Sequence, residues 1–453
     1  MGCREASPLL CACAPIAATG AAPSTATVTT GTKSLKLQLP FFRPAISSCI
    51  NGRTDSTSSS SSTPASYTRR WLNPLRRRRF HRPMPEIIRH WVEADPPQAP
   101  SEQDRFMVVS YNILGDKNAF KHRDLYQNVP SFYLKWDRRK RLICEELTGW
   151  SPDIICLQEV DKYFDLKKMM EKAGYVGSYK RRTGDSIDGC AMFWKDDKFQ
   201  LLEGEIIEFK RYGLRDNVAQ LSVFEIRKAK SRKFLIGNIH VLYNPSRGDV
   251  KLGQIRYLSS KAHILSEKWG NIPVVLAGDF NTTPQSAIYE FLSSSELNIM
   301  LHDRKELSGQ RNCNPAQVFG VKREIGNPLA LMDSALHRVF KCLWTEEEIK
   351  VATGNLVDQI VTHPLKLSSS YAAVKGSART RDLNDEPLAT SYHSKFIGTV
   401  DYLWYSDGLT PTRVLDTLPI DVLRETECLP CKKFGSDHLA LVCEFAFTPS
   451  QED

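Results

Sequence analysis

From Phe106 onward the chain falls into short apolar runs, each closed by polar residues, Gly or Pro. They are Phe106–Val109, Ile154–Leu157, Cys190–Trp194, Val218–Ile226, Phe234–Val241, Pro273–Ala277, Val400–Tyr405 and Leu439–Phe447. Their lengths and their β-branched and aromatic content predict strands. Many are apolar on successive residues, the pattern of strands covered on both faces. Helical spacing fills two of the gaps, at Arg138–Trp150 and Gln254–Trp269. The basic run from Lys135 to Arg141 on the first of these reads as solvated surface charge. The expected class is α/β, a four-layer sandwich of two packed mixed β-sheets flanked by helices. Residues 303–395 break the rhythm. An acidic patch (Glu346, Glu347, Glu348) and a Ser-, Gly- and charge-rich tract from Ser368 to Asp385 predict a long loop insertion there.

Composition is that of an ordinary globular protein, with 41% apolar and 25% charged residues among 453. The net charge of +9 invites a nucleic-acid-binding reading, but its distribution removes that argument. Residues 1–84 carry twelve Lys or Arg against two acids, +10, which leaves −1 for all the rest. Residues 1–100 read as a disordered, basic leader, too poor in core-forming residues to fold. A basic, Ser-rich, acid-poor segment has the composition of a transit peptide for a chloroplast or mitochondrion, and Arg76–Arg79 offers a nuclear signal as the alternative. Residues 101–449 are then the folded domain. No window holds the ~18 apolar residues of a spanning helix, so no membrane segment is expected. Cys428 and Cys431 form a lone CxxC without further zinc ligands, and Cys156 sits inside an apolar run, so reduced cysteines are expected.

Polar and ionisable residues gather where the apolar runs stop: Ser110-Tyr111-Asn112, Gln158-Glu159, Asn238-Ile239-His240, Gly278-Asp279-Phe280-Asn281, Asp401-Tyr402 and Ser436-Asp437-His438. In layered α/β folds such loops carry the site. Singly, each is a turn, a cap or a core histidine. Together, the carboxylates of Glu159, Asp279 and Asp437 with the Asn112 amide are hard oxygen donors suited to Mg²⁺. Two histidines and further amides remain for a phosphate and a water, the parts phosphodiester hydrolysis requires. No Gly-x-Ser-x-Gly elbow supports a serine hydrolase.

These blocks, in this order over residues 106–447, resemble the exonuclease–endonuclease–phosphatase superfamily related to deoxyribonuclease I, and within it the carbon catabolite repressor 4-type deadenylases. Tyr243-Asn244-Pro245 and the stretch Arg247–Leu252 resemble the Angel branch and its plant relatives. The resemblance implies a Mg²⁺-dependent 3′→5′ exoribonuclease acting on poly(A), with one or two Mg²⁺ ions and Mn²⁺ as a substitute. It implies Glu159 as metal ligand, with Asn112 in support, and Asp437 as ligand to a second ion. Asp279 would activate water and Asn281 orient it. His438 and His240 would contact the phosphate, and Asp401 would fix the His438 tautomer. Pro245 and Phe396 would hold the adenine, with Arg182, Arg247 and Lys251 guiding the RNA backbone. Removal of 2′,3′-cyclic phosphate ends, or of phosphate from a dinucleotide, is the alternative activity, and an inactive RNA-binding adaptor the alternative of another class. The resemblance places the protein in nucleus and cytoplasm, where the leader's composition points to an organelle. The leucine-rich repeats by which yeast-type enzymes dock into a deadenylase complex have no counterpart in residues 1–105.

Overall fold

The computed structural model describes residues 87–95, 104–320 and 344–448. In chain order the strands are β1 (Trp91–Glu93), β2 (Arg105–Asn112), β3 (Ile154–Gln158), β4 (Tyr175–Arg181), β5 (Gly189–Lys195), β6 (Phe199–Glu208), β7 (Val218–Ile226), β8 (Ala229–His240) and β9 (Val274–Asp279). The second half adds β10 (Glu296–Asn298), β11 (Ile360–Thr362), β12 (Ser368–Ser369), β13 (Ser391–His393), β14 (Phe396–Gly398), β15 (Asp401–Tyr405), β16 (Leu409–Leu415) and β17 (Leu441–Phe447). One sheet has seven strands in the order β1-β16-β17-β2-β3-β5-β4, and the other six in the order β12-β15-β9-β8-β7-β6. β2 runs parallel to β3, and β8 parallel to β9. The remaining neighbours in both sheets are antiparallel.

Side chains alternate between the faces of a strand, and here both faces are covered. Val108, Ile154 and Cys156 point into the core between the sheets, where they meet Phe224, Phe234, Ile236, Val275 and Ala277. Their neighbours Val109, Ile155 and Leu157 point outward, onto Ile143 and Leu147 of helix Trp136–Trp150 and Leu166 and Met170 of helix Tyr163–Lys172. On the other sheet Leu276 and Leu235 face Leu252, Ile255 and Leu258 of helix Gly248–Lys268. This two-sided burial is why the runs are continuously apolar. Phe106 stacks on Phe234 across the sheets at 4.1 Å between ring centroids. Each such fully buried side chain contributes roughly 1.5–3 kcal/mol.

Three expectations need correction. The leader boundary at 100 lies too far along the chain, because β1 pairs with β16 and Arg89 donates to the carbonyls of Asp416, Leu415 and Ala440. Residues 1–86, with most of the predicted leader, lie outside the described residues. The 303–395 segment is not one long loop. Residues 321–343 lie outside the described residues, but helix Glu346–Thr353 carries a Thr345/Glu348 capping box, β11 pairs with β10, and β12 extends the six-stranded sheet. Trp344, Val361, Leu365 and Leu367 are buried against that sheet, and Tyr371 in the core between sheets. Such dispersed apolar anchors are easily overlooked among Ser and charge. Third, Arg139 of the supposed surface run is fully buried, and its guanidinium donates to the carbonyls of Ile113, Leu114 and Gly435. It ties the loop after β2 to the loop that carries Ser436-Asp437-His438.

Candidate active site

The register of the central strands assembles the site. His240 ends β8 beside Asp279 at the end of β9, and Asp279 lies opposite Asp401 at the start of β15. On the facing sheet Asn112 ends β2 beside Gln158 at the end of β3, and Glu159 follows with φ 56°. A Cβ on Gly278 would lie 2.1 Å from the Ile239 carbonyl oxygen, so glycine there lets β9 approach β8 closely. The two strand ends open into a cleft of about 430 Å³, lined by Glu159, His240, Asp279, Asn281, Phe396, Asp437 and His438 among others. A larger hollow of about 730 Å³ lies near the start of β2, but Asp153 there is already paired with Lys195 and Lys198.

Asp279 is the hub. Its Oδ2 accepts from Asn112 Nδ2 at 3.0 Å and faces His240 Nε2 at 3.5 Å and His438 Nε2 at 4.0 Å. Its Oδ1 accepts the Asn281 backbone N–H at 2.9 Å. Burial and the adjacent Asp401 charge push its pKa up, against the pull of both histidines and Asn112. Asp401 Oδ2 accepts from Thr390 Oγ1 at 2.6 Å and contacts His438 Nδ1 at 2.8 Å. Burial alone would lower the His438 pKa; Asp401, Asp437 and Asp279 outweigh it and hold the imidazole well above its usual value. Ser436 Oγ donates to the Asn112 carbonyl at 2.6 Å and accepts the His438 backbone N–H at 3.2 Å, which locks the last block onto the first.

Glu159 is partly buried. Its Oε2 accepts from the Gly115 N–H at 3.1 Å and Asn118 Nδ2 at 2.9 Å, and its Oε1 from Asn112 Nδ2 at 3.3 Å. Asp437, across the cleft, accepts from Tyr126 at 2.8 Å. Carboxyl oxygens of Glu159, Asp279 and Asp437 line one cavity, a donor set that fits a hard divalent cation, which takes carboxylates and keeps waters. Among the described residues, Asp279, Asp401 and His438 also lie close enough together to share an ion. The Asp401–His438 hydrogen bond already occupies those groups with each other, so Glu159 is the better anchor.

The remaining predicted residues divide. Arg182 lines the cleft and is paired with Asp188 at 2.6 Å. Lys251 is no surface guide for RNA: it is fully buried, and its amine donates to the Asn281 carbonyl at 2.8 Å and to Gln310 Oε1. Burial pushes its pKa down to about 7, with Asp279 opposing. It braces the loop after β9 from beneath, because helix Gly248–Lys268 turns that face inward. Arg247 is not among the cleft-lining residues, and both arms of its guanidinium bind Asp249 at 2.9 and 2.7 Å. Pro245 does not line the cleft either; Tyr243, two residues earlier, does. Sequence reasoning missed Asn118, Tyr126, Asn217, Gln310 and His393, all of which line the cleft. Gln310 donates to Asn281 Oδ1 at 2.9 Å, and Asn217 donates to the His240 carbonyl at 2.9 Å. None of them belongs to a recognisable block; each arrives through tertiary packing.

Facing mixed sheets with acids, amides and imidazoles gathered at one end are the framework of a hydrolytic enzyme for phosphoesters. Residues 109–438 match the endonuclease/exonuclease/phosphatase family, and the chain belongs to it. It is 60% identical to carbon catabolite repressor protein 4 homolog 3 of Arabidopsis thaliana over 433 residues, covering 94% of this chain and 95% of that one. It is 27% identical over 413 residues to the CCR4-Not complex 3′-5′-exoribonuclease subunit Ccr4 of Phaeosphaeria nodorum, covering 80% and 65%. The solved structure of ANGEL2, a 2′,3′-cyclic phosphatase, in complex with adenosine-2′,3′-vanadate is similar with a TM-score of 0.63 and 30% identity, covering 80% of this chain and 99% of that one.

Proposed function

We propose that the protein is a divalent-metal-dependent 3′→5′ exoribonuclease that shortens poly(A) tails. The observation that carries this reading is the convergence of His240 and His438 on the one buried carboxylate of Asp279, beside Glu159. Similarity to the Ccr4 exoribonuclease subunit supports it. Glu159 would hold Mg²⁺, or Mn²⁺ in its place, with Asp437 facing a second ion. The bound ion would neutralise charge on the phosphate. Asp279, its pKa raised by burial, takes the proton of the attacking water. Asn112 and the Asn281 backbone fix both its oxygens. His438, kept cationic by Asp401, and His240 donate to the phosphate oxygens as charge builds on them. Phe396 offers a face for the terminal base, and Arg182 a cation for the backbone.

A second reading is removal of 2′,3′-cyclic phosphate from RNA ends. It is favoured by the similarity to the ANGEL2 structure, in which adenosine-2′,3′-vanadate is bound. The deciding experiment incubates the full chain and Mg²⁺ with A-tailed, random-sequence and 2′,3′-cyclic-ended RNA. Stepwise loss of 3′ adenylates is the expected result. Intact tails with loss of the cyclic phosphate would establish the second reading in its place, and RNA binding without turnover of any substrate would leave only an adaptor.

A further inference from the structure

The cleft wall formed by β13 and β14 contains a histidine to which the chemistry above gives no task. His393 ends β13 and lies opposite Phe396 in the hairpin. Its ring centroid is 6.0 Å from that of Phe396 at an interplanar angle of 35°, and 6.4 Å from that of Tyr126, edge-on. The residue is 5% exposed and lines the cleft. The Lys395 backbone N–H donates to Nδ1 at 3.3 Å, which makes Nδ1 the acceptor and leaves the proton on Nε2. Burial pushes the pKa down to about 4, against the pull of Asp437, so the ring is neutral at physiological pH. Among the described residues no group accepts from Nε2. Nε2 is not among the buried unpartnered atoms: it opens onto the cleft, where water takes its hydrogen bond until an entering group accepts from it.

We propose that His393 is a specificity-determining contact for the terminal nucleobase: its Nε2–H donates to a ring-nitrogen acceptor on the edge of the base that stacks on Phe396. The proposal rests on reading the cleft as a nucleotide site. A neutral donor suits an acceptor nitrogen, of which adenine presents N1, N3 and N7. Being uncharged, it reads the edge of the base without adding the salt-dependent attraction that any phosphate would feel, and it separates adenine from guanine where the acceptor is N1.

The test measures binding of 5′-AMP and its 1-deaza, 3-deaza and 7-deaza analogues to the full chain by calorimetry, for wild type, His393→Phe and His393→Gln. Wild type should bind one of the three analogues about fivefold more weakly than 5′-AMP, the value of one neutral hydrogen bond. His393→Phe should bind all four alike, at the weaker level. His393→Gln, which supplies another neutral N–H, should regain most of the preference. In turnover of A-ended RNA, His393→Phe should raise KM about fivefold and leave kcat unchanged. An unchanged preference in His393→Phe, no preference in wild type, or a collapse of kcat with unaltered KM overturns the proposal. If wild type turns over no RNA, the enzymatic reading fails and nucleotide binding still decides this one; wild type that binds no 5′-AMP overturns the proposal outright.

Discussion

Asp401 Oδ2 lies 2.8 Å from His438 Nδ1, both residues are buried, and the contact turns His438 Nε2 toward Asp279 at 4.0 Å. Asp401→Asn keeps the shape and removes the charge that holds the imidazolium. Activity should fall about 10²–10⁴-fold in kcat, with KM little changed. A variant with wild-type kcat would show the pair to be idle in the reaction.

Metal removal should abolish hydrolysis, and excess Mg²⁺ should restore it. Glu159→Gln keeps the shape of the anchor and removes its charge, so half-maximal activity should require at least tenfold more Mg²⁺. Full activity in excess EDTA would sink the metal-dependent mechanism.

Lys251 and Arg182 should separate cleanly. Arg182→Ala removes a cation from the cleft wall, and the log–log salt slope of RNA binding should flatten by about 0.7, the share of one phosphate on a single strand. Lys251→Met unties Gln310 and the Asn281 carbonyl from beneath, so kcat should drop while the salt slope stays that of wild type. A flattened slope in Lys251→Met would contradict the buried placement.

Glu386 is fully buried and accepts from Tyr289 at 2.8 Å. Burial raises its pKa to about 7, against the hydrogen bonds of Ser369 and Tyr289 and the Arg381 charge. A carboxyl with a folded pKa above its unfolded value contributes stability that is whole below about pH 4.5 and fades as pH rises through 7. Glu386→Gln removes that dependence. Between pH 5.5 and 8.5 wild type should lose about 2 kcal/mol relative to the variant. Parallel melting curves across the range would refute the assignment.

Arg89 lies within the segment whose composition reads as leader, yet it spans three carbonyls of the seven-stranded sheet region. Arg89→Ala should destabilise by about 1.5–3 kcal/mol, seen as a lowered urea midpoint with an unchanged slope. An unmoved midpoint would mean that residues 87–95 contribute nothing to the body.

The strands over Val218–Ile226, Ile154–Leu157 and Leu441–Phe447 were legible because each is buried on both faces, and two-sided burial writes itself as an apolar run. β6 escaped notice because most of its length alternates polar and exposed positions at a sheet edge. The six polar blocks were legible because each sits in local sequence at the end of such a run. The sequence by itself therefore determined the layered class and the strand ends at which Asn112, Glu159, His240, Asp279, Asp401 and His438 stand. Only the tertiary structure decided which way a side chain faces and what comes to meet it. It turned Lys251 and Arg139 inward, although charge in a sequence reads as surface. It left Pro245 off the cleft and brought Tyr126, Gln310 and His393 to its wall from segments without a motif. Burial and partner are properties of contacts between residues far apart in the chain, and local patterning carries no record of them.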